Sequence, residues 1–351
     1  MSNPMPTETK ILALQFKYFG DAVLMTPALR ALREQFPQGE LHVLVPEQIA
    51  PVLQNLPWIN RVWPMPRRRG RASLSLTWPV IRALRRERFD RSVDFASNDR
   101  GAIASFLIGA RQRLGWAQRG GFLGRQFCYH QRIVPENQVR HESARLAHLL
   151  SAWDIKPSSL TAEIRADPAL TEKAKNLLPP GKILCHIASS QPKKEWPLSH
   201  WAALHQMSTA AGIELVFATG VGAREEALLK DFQRLAPTAP VLKPVPDLAL
   251  YFAMLQRARA FVSGDTGPLH FAAGLGVPTL ALFGPSSPAQ WAPVGEQHRF
   301  LTGSACACGN VGICESAKPC LAAITPEQVF AEMVKLAHAS GLVGGSNNFR
   351  F

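Results

Sequence analysis

Short apolar runs alternate with stretches of helical period along most of this chain. Ile11 to Phe16 is the first run, of strand type, and Gly20-Asp21 follows it. Leu24, Ala28, Leu29 and Leu32 then recur at a spacing that predicts a helix. Pro27 inside that pattern predicts a kink or a restart, with Thr26 as its cap. Leu41 to Val45 predicts a second strand, Gln48 to Leu56 a helix and Arg61 to Trp63 a strand. Trp78 to Arg86 reads as a basic amphipathic helix, and Arg91 to Phe95 as another strand. The pattern restarts with strands at Lys182 to Ala188 and Glu214 to Thr219, and helices at Pro197 to Ala210, Glu225 to Arg234 and Leu248 to Gln256. A strand from Ala260, a small-residue helix and a strand over Thr279 to Phe283 complete it.

Strands alternating with helices imply an α/β fold in which parallel sheets are covered on both faces. The restart predicts two Rossmann-like domains facing one another across a cleft. Residues 1–160 form the first and 161–340 the second, with Lys156-Pro157-Ser158-Ser159 as the boundary. The 351 residues suffice for two cores of ordinary size, and Gly341 to Phe351, rich in Gly and Asn, reads as a frayed tail.

Three polar turns carry the candidate chemistry. Asp21 stands where the first strand gives way to the first helix. A carboxylate there can take a proton from a hydroxyl nucleophile, or can simply cap the helix. His186-Ile187-Ala188 leads into Ser189-Ser190-Gln191-Pro192-Lys193-Lys194, whose hydroxyls and ammonium groups suit a diphosphate or form a solvated basic loop. The third turn, Ser263-Gly264-Asp265-Thr266-Gly267-Pro268, joins a strand to a helix. Backbone N–H groups and the helix dipole favour an anion at such a junction. Gly267 permits close backbone approach, Thr266 offers a hydroxyl, and His270 follows within one turn, as a site residue or a structural histidine. Neither a P-loop nor a GxGxxG after the first strand is present, which argues against ATP hydrolysis and hydride transfer.

Charge sharpens this picture. The net charge of +13 is uneven: residues 1–160 hold 23 Lys and Arg against 12 Asp and Glu. Arg67-Arg68-Arg69-Gly70-Arg71 contributes much of the excess, as do the arginines of 82–91 and 111–125. Such a field attracts nucleic acid, an anionic membrane surface or a phosphorylated acceptor. No DNA-binding motif supports the first of these. The chain lacks a signal-peptide pattern and an apolar stretch of spanning length, and so reads as cytoplasmic. Cys128 and Cys185 read as buried free thiols. Cys306, Cys308, Cys314 and Cys320 lack the paired spacing of a structural zinc site, leaving a metal, a disulfide or plain packing open.

The three turns together resemble glycosyltransferase family 9, the lipopolysaccharide heptosyltransferases. ILALQFKYFGDAVLMTPALRALREQFP is similar to the family's opening block, HIASSQPKKEWPLSHWAAL to its central block, and VSGDTGPLHFAAGLGVPTLALFGPSSPAQWAPVG to its sugar-nucleotide block. The resemblance implies a GT-B fold and inverting, metal-independent transfer without a cofactor, from a nucleoside-diphosphate sugar, with ADP-heptose as the family expectation. It implies Asp21 as general base and Lys194 as the diphosphate contact, with Ser189 and Ser190 beside it. Asp265, Thr266, Gly267 and His270 fall at the nucleotide-sugar turn, and Glu225 near an acidic position associated with the nucleoside. An anionic glycolipid acceptor is implied, with the enzyme peripheral at the cytoplasmic face of the inner membrane and no nucleic-acid partner. A non-catalytic GT-B-like protein that only binds nucleotide or sugar is the alternative.

Overall fold

The computed structural model describes residues 9–66, 74–117, 120–136, 140–306, 308 and 319–339. The arginine run at 67–71, Cys314 and the tail from 341 lie outside the described residues. The chain divides into two compact units, Met1–Arg165 and Ala166–Phe351.

In the first unit the strands are β1 (Lys10–Leu14), β2 (Glu40–Pro46), β3 (Arg61–Met65), β4 (Arg91–Asp94), β5 (Gln112–Trp116) and β6 (Gln131–Ile133). Its helices are α1 (Phe19–Leu24), α2 (Thr26–Gln35), α3 (Leu74–Arg86), α4 (Asp99–Ile108) and α5 (Glu142–His148). Among the described residues its strands form one parallel sheet in the order β3-β2-β1-β4-β5-β6. The order reverses between β1 and β4, so the loops leaving those two strands diverge and open a crevice at their carboxyl ends. Leu12 and Leu14 of β1 pack with Leu44, Trp63, Leu84 and Phe89 in the core beneath it.

The second unit holds strands β7 (Ile183–His186), β8 (Leu215–Ala218), β9 (Ala260–Gly264), β10 (Thr279–Phe283) and β11 (His298–Thr302). Its helices are α6 (Thr171–Leu177), α7 (Leu198–Ala210), α8 (Ala223–Leu235), α9 (Leu248–Leu255), α10 (Gly267–Gly274), α11 (Pro288–Trp291) and α12 (Pro326–Ala339). Among the described residues this sheet too is parallel, ordered β11-β10-β9-β7-β8, and it reverses between β7 and β9. Trp196, Trp201, Phe217 and Phe232 build an aromatic core against it. Trp196 meets Trp201 edge-on at 4.8 Å, and its Nε1 donates to the Ile324 carbonyl at 2.9 Å. The indole thereby ties the turn after β7 to the segment before α12.

Most elements match the pattern. Pro27 does divide the first helical stretch, but Met25 rather than Thr26 occupies the cap position of α2. Thr26 instead donates its hydroxyl to the Val23 carbonyl at 2.7 Å. The helix expected over 48–56 is a 3₁₀ segment, Glu47–Val52, because Pro51 cannot donate the amide that an α-helix would need. The helix α4 and strands β5 and β6 have no counterpart in the sequence reading. The apolar residues of α4 (Ala102, Ile103, Ala104, Phe106, Leu107, Ile108) run almost continuously and leave no one-sided period.

Replacing Trp196 by Ala should cost about 3–5 kcal/mol of unfolding free energy, because the indole is fully buried and its cavity cannot close. Urea denaturation of the full chain checks this; a loss below about 1 kcal/mol would show that the turn is anchored elsewhere.

Candidate active site

Each sheet brings its candidate residues to its own reversal point. In the first unit β1 ends at Leu14, and the chain passes through Gln15 to Tyr18 into α1. Asp21 sits on the third residue of α1 and is buried. It is therefore not the cap residue itself. Tyr18 holds that position, and its backbone N–H donates to Asp21 Oδ2 at 3.3 Å. Lys17 Nζ lies 3.8 Å from Asp21 Oδ1. Burial pushes the Asp21 carboxyl above the ordinary aspartate range; Lys17 opposes that shift, and the charge of Glu142 on α5 adds to it. Glu142 is clamped by Arg145 through paired bonds of 2.7 and 2.6 Å.

Across the reversal, β4 ends in Asp94, which is fully buried. Its Oδ2 accepts from the Tyr129 hydroxyl at 2.5 Å and its Oδ1 from the Ala96 backbone N–H at 2.9 Å. Burial raises its pKa to about 6, although both hydrogen bonds pull the other way. Lys17, Glu142, Arg145, Asp94 and Tyr129 had no signal in the sequence reading. Glu142 and Arg145 stand on α5 and Tyr129 between β5 and β6, the part of the chain with the weakest pattern.

In the second unit the turns after β7 and β9 meet. The register places His186 beside Ser263, so the two strands end together. An added Cβ at Gly264 would lie 2.7 Å from the Lys194 carbonyl oxygen, so the glycine lets the first turn cross the end of β9. Lys194 Nζ then pairs with Asp265 Oδ2 at 2.6 Å. The Asp265 carboxylate is buried, whereas the lysine keeps partial exposure. His270, also buried, brings Nε2 to 3.9 Å from Asp265 Oδ1. Thr266 caps α10: its Oγ1 accepts from the Leu269 N–H at 3.4 Å, leaving the hydroxyl proton to donate. Gly267 begins that helix.

Ser189 is buried and Ser190 exposed. The Ser189 N–H donates to Glu195 Oε1 at 2.9 Å, and Arg224 Nη2 reaches both the Ser189 carbonyl and Glu195. Glu195 and Arg224 thus fix the serine–lysine turn, a pairing invisible in the sequence because 29 residues separate them. Glu225, in the first turn of α8, lies 3.9 Å from Arg224 and joins the cluster through that arginine. The structure thus unites Lys194, Asp265, Thr266, Gly267 and His270, and joins Ser189 and Glu225 to each other through Arg224. Such a cluster, a lysine beside the N-terminus of a helix at a switch point, can hold a diphosphate and take up charge developing on it.

The family model for glycosyltransferase family 9 (heptosyltransferase) matches residues 77–318 of the chain. The chain belongs to glycosyltransferase family 9. This glycosyltransferase is 25% identical over 306 residues to lipopolysaccharide heptosyltransferase 2 of Escherichia coli K12, covering 83% of this chain and 87% of that protein. It shares its fold with a family 9 glycosyltransferase from Veillonella parvula, at a TM-score of 0.81 and 22% identity over 96% of this chain and all of that one. It also shares it with the E. coli ADP-heptose LPS heptosyltransferase II, at a TM-score of 0.76 and 21% identity, covering 95% and 100%. The transferase is thus of the GT-B type, with two parallel-sheet α/β units. Among its described residues no helix is long and apolar enough to cross a membrane. Of its four late cysteines, Cys306 and Cys308 bring their sulfurs to 2.7 Å and Cys320 is buried.

Asp94 sets a pH test of the first unit. The folded state holds its proton up to about pH 6, whereas an unfolded aspartate releases it near the ordinary value of 3.8. Between those values the folded state binds more protons, so stability falls as pH rises, by about 3 kcal/mol in all. Asp94→Asn should remove the part of that slope that Asp94 supplies, leaving the smaller part from Asp21. Urea melts of both proteins from pH 4 to 7 check it; parallel curves would show that Asp94 titrates normally.

Proposed function

We propose that this glycosyltransferase moves heptose from ADP-heptose onto an anionic glycolipid of the lipopolysaccharide core, with inversion and without a divalent metal. The observation that carries the donor half is the Lys194–Asp265 pair beside the N-terminus of α10 at the β7/β9 reversal. Asp265 holds the ammonium group at the strand ends, where a diphosphate would meet both it and the N–H groups near Thr266 and Gly267. The names of the curated and structural relatives support heptose and ADP as the donor's parts.

In the reaction the acceptor hydroxyl attacks the anomeric carbon while Asp21 takes its proton. The bond between that carbon and the diphosphate oxygen breaks, and its electron pair leaves on ADP. The transition state has oxocarbenium character. Lys194 and the α10 amides stabilise the departing charge, a role commonly worth about 2.7–4 kcal/mol per oriented donor. These fixed positive groups are what makes a metal unnecessary. The raised pKa of Asp21 makes it a stronger base than a solvated aspartate. The excess of arginine and lysine in residues 1–160 supports an acceptor bearing phosphates or acid sugars, met at an anionic membrane surface.

Lys194→Ala should weaken ADP binding about 10- to 100-fold, as loss of a charge-assisted contact does. Isothermal calorimetry in excess chelator measures this, and unchanged affinity would remove Lys194 from the donor site. Abolition of wild-type transfer by the chelator would contradict metal independence. Asp21→Asn should keep ADP affinity and lose transfer; near-normal turnover would remove Asp21 as base. In the wild type the rising limb of kcat/KM should lie above the ordinary aspartate range. Lys17→Met removes a charge that lowers the Asp21 pKa, so it should move the limb to higher pH. A limb that stays in place would separate Lys17 from the base.

A further inference from the structure

Three cysteines of the second unit meet where the chain leaves β11, and the donor chemistry does not use them. Gly303 directly follows β11, and an added Cβ there would collide with the Cys320 carbonyl. The Ser304 N–H donates to that same carbonyl at 3.1 Å. The chain leading to Cys306 is thereby held against the chain at Cys320. Cys320 is buried at the start of the 3₁₀ turn Cys320–Ala323. Its Sγ is packed at the end of β10, where an added Cβ at Gly284 would lie 2.9 Å from it. Cys306 and Cys308 remain half-buried and bring their sulfurs to 2.7 Å.

The surroundings favour a thiolate on Cys306. The Cys308 thiol and backbone N–H hydrogen-bond to it and lower its pKa. Burial opposes them, while the Cys320 thiol and the charge of Lys193 add to the lowering. By contrast, burial pushes the Cys128 and Cys185 thiols up. The thiolate is the nucleophile of thiol chemistry. A partly exposed thiolate touching a second thiol can attack a disulfide and then be resolved by its neighbour. The spacing allows the pair to close. Two residues of chain span at most about 7 Å, and a disulfide needs Cα atoms about 4.4–6.8 Å apart. Among the described residues no group of three or more His, Cys, Asp or Glu is arranged to hold a metal ion.

We propose that Cys306 and Cys308 form a redox-active dithiol whose substrate is a small-molecule disulfide of the glutathione class. The Cys306 thiolate attacks one sulfur of that disulfide. A bond forms between the two sulfurs, the old S–S bond breaks, and its electron pair leaves on the first glutathione thiolate. Cys308, losing its proton to water, then attacks the Cys306 sulfur of the mixed disulfide. The Cys306–Cys308 bond forms and the second glutathione thiolate leaves. The two cysteines give up two electrons and two protons; the electrons pass to glutathione, and the protons end on the two released thiols. Cys320 remains a thiol throughout and acts as a positioning residue, donating to Cys306. The reaction is separate from glycosyl transfer and needs no sugar donor.

The test uses the full reduced chain, first treated with limiting iodoacetamide at neutral pH. Peptide mass spectrometry should find Cys306 alkylated at least about tenfold faster than Cys128 or Cys185. In oxidised glutathione the chain should lose two hydrogens through a Cys306–Cys308 disulfide, mapped by fragmentation and reversed by dithiothreitol. Cys308→Ser should stop at the mixed disulfide of Cys306 with glutathione, and Cys306→Ser should form neither product. Cys320→Ala should still close the Cys306–Cys308 bond but slow alkylation of Cys306 about threefold, an effect that a purely structural cysteine would not have. A wild-type Cys306 no more reactive than Cys128 overturns the proposal. A disulfide from Cys306 to any other cysteine does so too, as does a Cys308→Ser chain that gathers no mixed disulfide. Zinc or iron bound one per chain in the protein as isolated also overturns it, and makes the cluster a metal site. Thermal melts check that each variant is folded. The wild-type alkylation rates, disulfide map and metal content need no variant, and decide the proposal if one is not.

Discussion

Parallel strands whose crossovers cover both faces of a sheet must reverse their order somewhere, and at that point the two outgoing loops part. No side chain need be removed to make room there, because the connectivity itself keeps the strand ends uncovered. Both sheets of this glycosyltransferase reverse once, between β1 and β4 and between β7 and β9. Asp21 and Asp94 follow from the first reversal, and Lys194 and Asp265 from the second. The aromatic core around Trp196 and the glycine at 264 serve to hold the loops in those positions.

The two reversal points differ in electrostatic character. The first buries carboxylates and raises their pKa, so they hold protons more tightly than solvated aspartates. The second buries a carboxylate against a lysine and a helix N-terminus, so that its partner presents positive charge to solvent. The contrast comes from partners rather than from residue type, since aspartates stand at both. Asp94 has a phenol and a backbone amide, whereas Asp265 has an ammonium group within 2.6 Å.

Arg125 extends the same logic away from the strand ends. Its buried guanidinium lies 3.4 Å from Asp99 Oδ1 and close enough to Asp94 for its charge to lower that carboxyl's pKa.

The second unit was legible in the sequence from β7 to β10, whereas α6, α11, β11 and α12 were not. Its strands are short apolar runs closed by polar turns, and its helices carry caps or prolines at their ends. Asp265-Thr266-Gly267 and Lys194 were visible for that reason, and so was the alternation that makes an α/β fold. The first unit was legible only up to β4. Beyond it, α4 is apolar on every side and α5 is short, so no period marks them. Local sequence determined the strands from β1 to β4 and from β7 to β10, the turns that can accept an anion and where the cations gather. The tertiary structure alone decided that Glu195 and Arg224 brace the lysine turn, that Tyr129 and Ala96 satisfy Asp94, and that Arg125 is buried beside Asp99 and Asp94. Those facts depend on contacts between residues far apart in the chain, and burial and pKa arise only when such contacts displace water.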